Sequence, residues 1–498
     1  MKTERASGIL LHPTSLPGKY GIGTLGKEAY RFIDFLVESK QKFWQILPLG
    51  PTGYADSPYQ CFSSAAGNPL LIDPETLVRE GLLTIKDIGG LASPGNGAID
   101  YGRVIKLKYP LLKKAMTSFR KDASKEHRKD FREFTVTNKK WLEDYALFMS
   151  LKEHFKQKPW YKWEKPLKMR KESALKPFRS LLSDRIEFHK FIQYLFFRQW
   201  LAVKDYAHQN NIRIIGDIPL YVALDSVDAW ANTGLFQFDA EKNPVAVGGV
   251  PPDYFSATGQ LWGNPLYRWD MLKKDHYRWW IDRIKSNLVL YDVIRIDHFR
   301  GFAAYWAVPY GEKTAVNGKW IPCPGKELFE EIRKAFGEIP IIAEDLGVIT
   351  DDVEDLRDSF GLPGMKILQF AFDSSETNDY IPYNFTKNCV VYTGTHDNDT
   401  VKGWFKMAKP EDRRYVLDYM HSSGKNIAAD FLRLAWASVA NTAIVPMQDL
   451  LGLGNEARMN LPGTTASNWK WRAKSRDFTT GLAVQLAELT ILYGRTHK

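Results

Sequence analysis

The sequence predicts a parallel α/β barrel of the (β/α)8 TIM-barrel type, interrupted by large, mainly helical insertions. Three observations carry this. Short apolar runs rich in β-branched residues recur, and three of them lead into acids: Val293-Ile294-Arg295-Ile296-Asp297, Ile339-Pro340-Ile341-Ile342-Ala343-Glu344-Asp345 and Val390-Val391-Tyr392-Thr393-Gly394-Thr395-His396-Asp397. Such a run reads as a strand buried on both faces, as in a parallel sheet. Strand candidates begin near Gly8, Phe43, Ile212, Val293, Ile339, Met365, Val390 and Ala443, with helices between them. Eight of them favour a closed barrel over a doubly wound sheet. The chain has 498 residues, whereas one barrel needs about 250, so insertions are expected.

Taken in order, Gly8-Ile9-Leu10-Leu11 is the first strand, and Pro13 and Pro17 break the chain after it. Leu25 to Ser39 reads as a helix, with Ala29, Phe32, Phe35 and Leu36 on one face. Phe43 to Leu49 is the second strand. The alternation then stops: from Asp73 to about Asp184 the chain is charged, helix-like and rich in Lys, Trp and Phe. The expected organisation is therefore 1–72 as the first part of the barrel, 73–185 as a helical insertion and 186–498 as the remainder. Within the last part, rim-loop insertions are expected at about 220–267 and 300–330. A helix from about Ile186 to Gln209 precedes the strand ending at Asp217, and another near Tyr277–Leu288 precedes the strand ending at Asp297.

Composition narrows the function classes. The net charge is +10, but the Lys and Arg residues concentrate between Lys106 and Lys190 among Glu and Asp. The densest group, Lys165, Lys168, Arg170 and Lys171, reads as a solvated helical face, and no nucleic-acid motif accompanies it. Cys61, Cys323 and Cys389 have neither a CxxC spacing nor an even-numbered framework, which argues against disulfides and structural zinc. The first strand starts too early for a leader peptide. No apolar run approaches the ~20 residues of a membrane span. A soluble protein in a reducing, cytoplasmic setting is expected, with a mature plastid protein as the alternative. The 16 Trp, 23 Tyr and 28 Phe residues fit either a large core or stacking against sugar rings.

Acids at the C-terminal ends of barrel strands share one rim, and paired carboxyls on one rim suit glycoside chemistry. Arg295 lies two residues before Asp297, hence on the same strand face, where it would keep that acid ionised as a nucleophile requires. The structural alternative is an Arg–Asp pair that merely braces the barrel. Glu344 and Asp345 must point to opposite faces, so one of them faces the lumen. A glutamate in an apolar pocket near other carboxylates has a raised pKa and suits proton donation. Asp217 is a fourth strand-end acid.

Other motifs are weaker. Gly21-Ile22-Gly23-Thr24-Leu25-Gly26 matches GxGxxG, but the long Pro-containing loop before it and the absence of an acid after Leu47-Pro48-Leu49 favour a rim loop over a dinucleotide site. His396-Asp397-Asn398-Asp399 has metal-ligand composition without the rest of a cage. Asp351 and Asp352 follow Thr350 as a helix start. The segment from Gly249 to Gly263, with Tyr254, Phe255 and Trp262, is too aromatic for a solvated loop and too broken for a helix. It reads as a sugar-stacking lid, or alternatively as a loop packed under the insertion.

Together, Ser57-Pro58-Tyr59-Gln60, Gly216-Asp217-Ile218-Pro219, Val250-Pro251-Pro252-Asp253-Tyr254-Phe255, Arg295-Ile296-Asp297-His298-Phe299-Arg300-Gly301, Ala343-Glu344-Asp345-Leu346-Gly347, Thr395-His396-Asp397-Asn398 and Asn468-Trp469 resemble the 4-α-glucanotransferase family of amylomaltases and disproportionating enzymes, glycoside hydrolase family 77 of the α-amylase clan. The resemblance spans nearly the whole chain. It implies a barrel without a C-terminal β-sandwich. It implies Asp297 as nucleophile, Glu344 as acid/base and Asp397 as stabiliser of the distorted sugar. Asp217, Arg295 and His396 would serve the donor site, Tyr59, Asp253, Tyr254, Phe255, Trp262 and Asn468 the glucan groove, and His298 would be a further substrate-binding residue. The implied substrates are linear α-1,4-glucans, maltooligosaccharides and glucose, with no cofactor, no metal, no nucleic acid and no membrane, acting as a monomer or weak homodimer. An α-glucan hydrolase is the near alternative and a non-catalytic glucan-binding protein the distant one.

Overall fold

The computed structural model describes residues 5–91, 97–252, 256–338, 340–373 and 378–496. Among these are twelve strands: β1 (Ala6–Leu10), β2 (Phe43–Gln45), β3 (Arg213–Pro219), β4 (Ala246–Val250), β5 (Gln260–Pro265), β6 (Val293–Asp297), β7 (Ala304–Pro309), β8 (Lys319–Pro322), β9 (Ile341–Ala343), β10 (Gly364–Ile367), β11 (Cys389–Tyr392) and β12 (Thr442–Pro446). Eight form one parallel sheet in the order β10-β11-β12-β1-β2-β3-β6-β9. These are the eight strands read from the sequence, each within a few residues of its expected place. Ile339, the expected start of one of them, lies outside the described residues.

The sheet curls until its end strands meet. The Ala343 N–H donates to the carbonyl of Pro363, just before β10, at 2.9 Å. Asp345 completes the seam. One carboxylate oxygen accepts from the Met365 N–H at 2.7 Å, and the other pairs with Arg357 at 2.7 Å. Asp345 is buried, so neither acid of the Glu344-Asp345 pair is simply a solvated surface group.

Strand periodicity sorts the core into two clusters. Ile9, Trp44, Ile214, Ile294, Ile296, Ile341, Ala343, Val391 and Val445 face the surrounding helices. Leu10, Phe43, Ile215, Val293, Ile342, Ile367, Val390, Tyr392 and Ile444 face the lumen. Side chains alternate with period two, so Arg295 and Asp297 follow Val293 inward, Asp217 follows Ile215, and Glu344 follows Ile342. The lumen is apolar below and ionic at its rim.

Some elements are shorter than their apolar runs. After Gln45 the expected second strand leaves the sheet. After Ile367 the chain enters a 3-10 turn (Leu368–Phe370), and after Pro446 a short helix (Met447–Leu450). The GxGxxG segment folds back on the turn before it: the Gly23 N–H donates to Thr14 O at 2.9 Å, and a Cβ on Gly23 would lie 1.9 Å from Pro13 O. This is a packed rim loop.

Between β2 and β3 the described chain is helical, and its helix starts are written in the sequence. Asp73 caps Pro74–Arg79, Asp100 caps Tyr101–Asp122 and Ser124 caps Lys125–Thr137, each accepting a backbone N–H of the first turn. Part of the basic cluster is engaged: Lys165 pairs with Glu241, while Arg170 pairs with Asp144 and lies over the Trp230 ring at 4.3 Å. Among the described residues no helix is long and apolar enough to cross a membrane.

The stretches after β3 and β6 contribute a second, antiparallel sheet in the order β5-β4-β7-β8. The aromatic segment read as an irregular lid is therefore flanked by two paired strands, β4 and β5, which cover only its ends. Short alternation there is interrupted by Gly248, Gly249 and Gly263, which hid the strands.

Replacing Asp345 by alanine removes the acceptor of both the Met365 N–H and the Arg357 guanidinium at the barrel seam. Chemical denaturation is expected to read a loss of about 2–4 kcal/mol.

Candidate active site

The site is built outward from Arg295. Its guanidinium spans two strands, with Nη1 2.6 Å from Asp217 Oδ2 on β3 and Nη2 2.9 Å from Asp297 Oδ1 on β6. Exposure rises along this line, from 0% for the Asp217 side chain and 4% for Arg295 to 28% for Asp297. The deepest acid is thus sealed while Asp297 opens to the cleft. Burial works against the Arg295 charge, yet Asp217 and Asp297 hold it well above the ordinary guanidinium range. Burial also pushes the Asp217 carboxyl up to about 7, helped by the neighbouring Asp297; Arg295 and the Tyr59 hydroxyl, which donates to Asp217 Oδ2 at 2.7 Å, oppose the rise. Asp217 Oδ1 is buried with no protein partner.

Glu344 is held against the turn that follows Asp297. His298 adopts a left-handed conformation (φ 54°), which costs a non-glycine residue about 1–2 kcal/mol. The turn aims the His298 N–H at Glu344 Oε2, 2.6 Å away, and the Phe299 N–H at the Glu344 carbonyl, 3.0 Å away. The Glu344 N–H donates back to Ile296 O at 3.1 Å, and Leu346 N–H reaches Oε1 at 3.2 Å. Burial, and then the nearby Asp297 charge, raise the Glu344 carboxyl well above the usual carboxylate range against the pull of Arg295 and the His298 N–H. The surroundings of the carboxyl beside Asp297 therefore favour its protonated form.

Asp397 differs from its expected position at the end of a strand. It lies on a loop well past the end of β11, because Thr393-Gly394-Thr395 leaves the sheet and turns. Asn398 Oδ1 accepts both the Thr395 N–H and hydroxyl at 2.8 Å. His396 Nε2 is 3.3 Å from Asp397 Oδ2, and Asn460 Nδ2 donates to Asp397 Oδ1 at 2.6 Å. Arg458 donates to the Asp397 carbonyl at 2.6 Å and pairs with Asp399. The two acids of the His-Asp-Asn-Asp run are thus turned to different partners. Burial lowers the His396 pKa despite Asp397, which favours the neutral ring.

The aromatic groups fall into two sets. Tyr59 stacks on His396 at 5.2 Å with an interplanar angle of 13°, and Trp469 packs against both rings at 5.9 Å. Trp262 meets His298 edge-on at 4.7 Å; burial lowers His298 to about 4, with Arg300 adding to the effect. Asn468 engages its own loop, accepting the Leu461 N–H at 3.0 Å and donating to Thr464 O at 3.0 Å. Asp253, Tyr254 and Phe255 lie outside the described residues. The structure brings Tyr59, Asp217, Arg295, Asp297, Glu344, His396 and Asp397 together. Sequence reasoning missed Arg458 and Asn460, which sit in no strand and carry no motif. It also passed over His12, which Nδ1 ties to the Leu47 N–H at 3.3 Å and whose pKa burial and His396 lower to about 3.

A carboxyl raised toward protonation beside a second, partly exposed carboxylate on the rim of a parallel barrel defines a class: barrel enzymes that cleave and re-form glycosidic bonds. Comparison with known proteins narrows it. The family model described as 4-alpha-glucanotransferase (glycoside hydrolase family 77) matches residues 11–478. A 4-alpha-glucanotransferase of Synechocystis is 50% identical over 499 residues, covering 99% of both chains, and that of Thermus thermophilus is 50% identical over 482 residues, covering 95% of each. The crystal structure of a Streptococcus agalactiae amylomaltase in complex with acarbose superposes with a TM-score of 0.96 at 44% identity, covering 99% of this chain and 100% of its own. The chain belongs to the 4-alpha-glucanotransferase family.

Because the Asp297 charge helps to raise Glu344, Asp297→Asn is expected to lower the pH at which Glu344 titrates, measured by carbon-13 NMR of labelled carboxyls. An unchanged Glu344 titration would contradict this electrostatic reading.

Proposed function

We propose that this enzyme transfers a segment of a 1,4-α-glucan to the 4-hydroxyl of another glucan or of glucose, by double displacement through Asp297 and Glu344. The observation that carries this reading is the hydrogen bond from the His298 N–H to Glu344 Oε2, which keeps the proton donor beside the residue following the nucleophile. In the first step Glu344 gives its proton to the glycosidic oxygen while an Asp297 oxygen attacks C1. The C1–O bond to the leaving chain breaks, and a glucosyl ester on Asp297 forms. Esterification removes the Asp297 charge, the second-largest of the causes that raise Glu344, so Glu344 is better able to act as the base the second step needs. The acceptor 4-hydroxyl then delivers its proton to Glu344, its oxygen attacks C1, and the bond to Asp297 breaks. Two inversions leave the α-configuration intact. Proton and leaving group are both accounted for by these two side chains, so the reaction as written uses no cofactor.

The other assignments follow from contacts. Asp217 Oδ1, without a protein partner, would accept a sugar hydroxyl in the donor site, with Arg295 and His396 as neighbouring groups and His298 as a further substrate-binding residue. Asp397 would stabilise the distorted ring. Tyr59, stacked on His396, would line the glucan groove, and Trp262, Asp253, Tyr254 and Phe255 would belong to the same groove. Asn468 would shape the groove through its loop. The substrates would be maltooligosaccharides and longer linear α-1,4-glucans, with glucose as the smallest acceptor. The protein would act in the cytosol as a monomer or weak homodimer.

Maltotriose separates transfer from hydrolysis. Transfer yields a ladder of longer maltodextrins plus glucose, whereas maltose and glucose alone would make the enzyme a hydrolase. Asp297→Asn and Glu344→Gln are each expected to lower the transfer rate by at least about a hundredfold, the lower range of what a positioned acid or base contributes. Near-normal transfer by Asp297→Asn would overturn the assignment of the nucleophile. The alkaline limb of kcat/KM should fall as pH rises through the raised Glu344 pKa, since only the protonated carboxyl can act in the first step.

A further inference from the structure

We propose that Asn460 is a positioning residue for Asp397, holding the carboxylate in the orientation the reaction needs. This inference rests on the role proposed above for Asp397. Asp297 and Glu344 take their direction from β6 and from the residue that follows β9. Asp397 has no such support, because the chain leaves the sheet at Tyr392. Its loop is held from outside by the segment Arg458-Met459-Asn460. Arg458 donates to the Asp397 carbonyl and pairs with Asp399. The Asn460 N–H donates to the His396 carbonyl at 3.1 Å. The Asn460 side chain then does something different: its Nδ2 donates to Asp397 Oδ1 at 2.6 Å. Oδ2 is left toward His396 Nε2, 3.3 Å away, and the carboxylate side chain remains 41% exposed.

Backbone and side chain of Asn460 thus act separately. The backbone grips the loop and survives any substitution that keeps the N–H. Among the described residues the hydrogen bond of its side-chain amide goes to the carboxylate, so removing that amide releases the carboxylate. A misplacement of about 1 Å at a reacting centre can cost about a hundredfold in rate, and an amide donor is the neutral group that orients a carboxylate without adding charge.

Transfer from maltotriose by Asn460→Ala, Asn460→Asp, Asp397→Asn and the Asp397→Asn/Asn460→Ala double variant tests this. Asn460→Ala is expected to lower kcat tenfold to a hundredfold, with KM and Tm nearly unchanged. On the Asp397→Asn background the same substitution should cost less than threefold, because the group it positions is gone. Asn460→Asp places a second carboxylate against Asp397, among His396, Tyr59 and the Asp399-paired Arg458. It should move the acid limb of kcat to higher pH, which a merely structural residue would not do. A kcat for Asn460→Ala within twofold of the parent, or effects of the two single substitutions that multiply in the double variant, would overturn the proposal. Near-normal kcat in Asp397→Asn would instead overturn the role of Asp397 itself.

Discussion

A single buried guanidinium organises the catalytic rim. Arg295 sits in the lumen with almost no access to water, where an unpaired charge would be strongly unfavourable. It is tolerable because Asp217 and Asp297 flank it at 2.6 and 2.9 Å from adjacent strands. The same contacts fix the two acids relative to each other and set unequal burdens on them. Asp217 lies wholly under the surface and its charge is opposed by burial, while Asp297 faces the cleft. Removing the arginine would leave two facing carboxylates in a low-polarity cavity, so the pair and its counter-charge form one unit.

Glu344 joins this unit through the backbone. The left-handed turn at His298 spends conformational energy to present two successive N–H groups to β9, one to the Glu344 side chain and one to its carbonyl. On the far side, Asp345 bonds across the seam to Met365 and Arg357. Adjacent acids with opposite directions therefore do opposite work. The inward one is raised toward protonation by burial and by Asp297, and the outward one closes the barrel on which the inward one stands.

How much of this was legible in the sequence depends on how local each feature is. Eight largely apolar runs were enough to locate the barrel strands, because a strand buried on both faces carries few polar residues. Period-two alternation put Arg295 and Asp297 on one face and separated Glu344 from Asp345. The start of the helix Asp351–Ser359 after Thr350 was readable because its acids fall within the first turn. The second sheet was not readable: β4 and β5 carry glycines in place of side chains to pack, and their partner β7 lies beyond β6. Nor was the true setting of Asp397, which the apolar run of β11 made look like one more strand end.

The sequence by itself determined the barrel and put Arg295 and Asp297 on one strand face, because these follow from periodicity, and its motifs carried the resemblance to the family to which the chain belongs. The tertiary structure decided which groups meet. Tyr59 reaches Asp217, Asn460 reaches Asp397 and Asp345 meets Met365 across loops whose length the local sequence does not encode. It also decided protonation, since burial is the leading cause of the rise at both Glu344 and Asp217. Burial is a property of everything packed around a residue, so no stretch of sequence can state it alone.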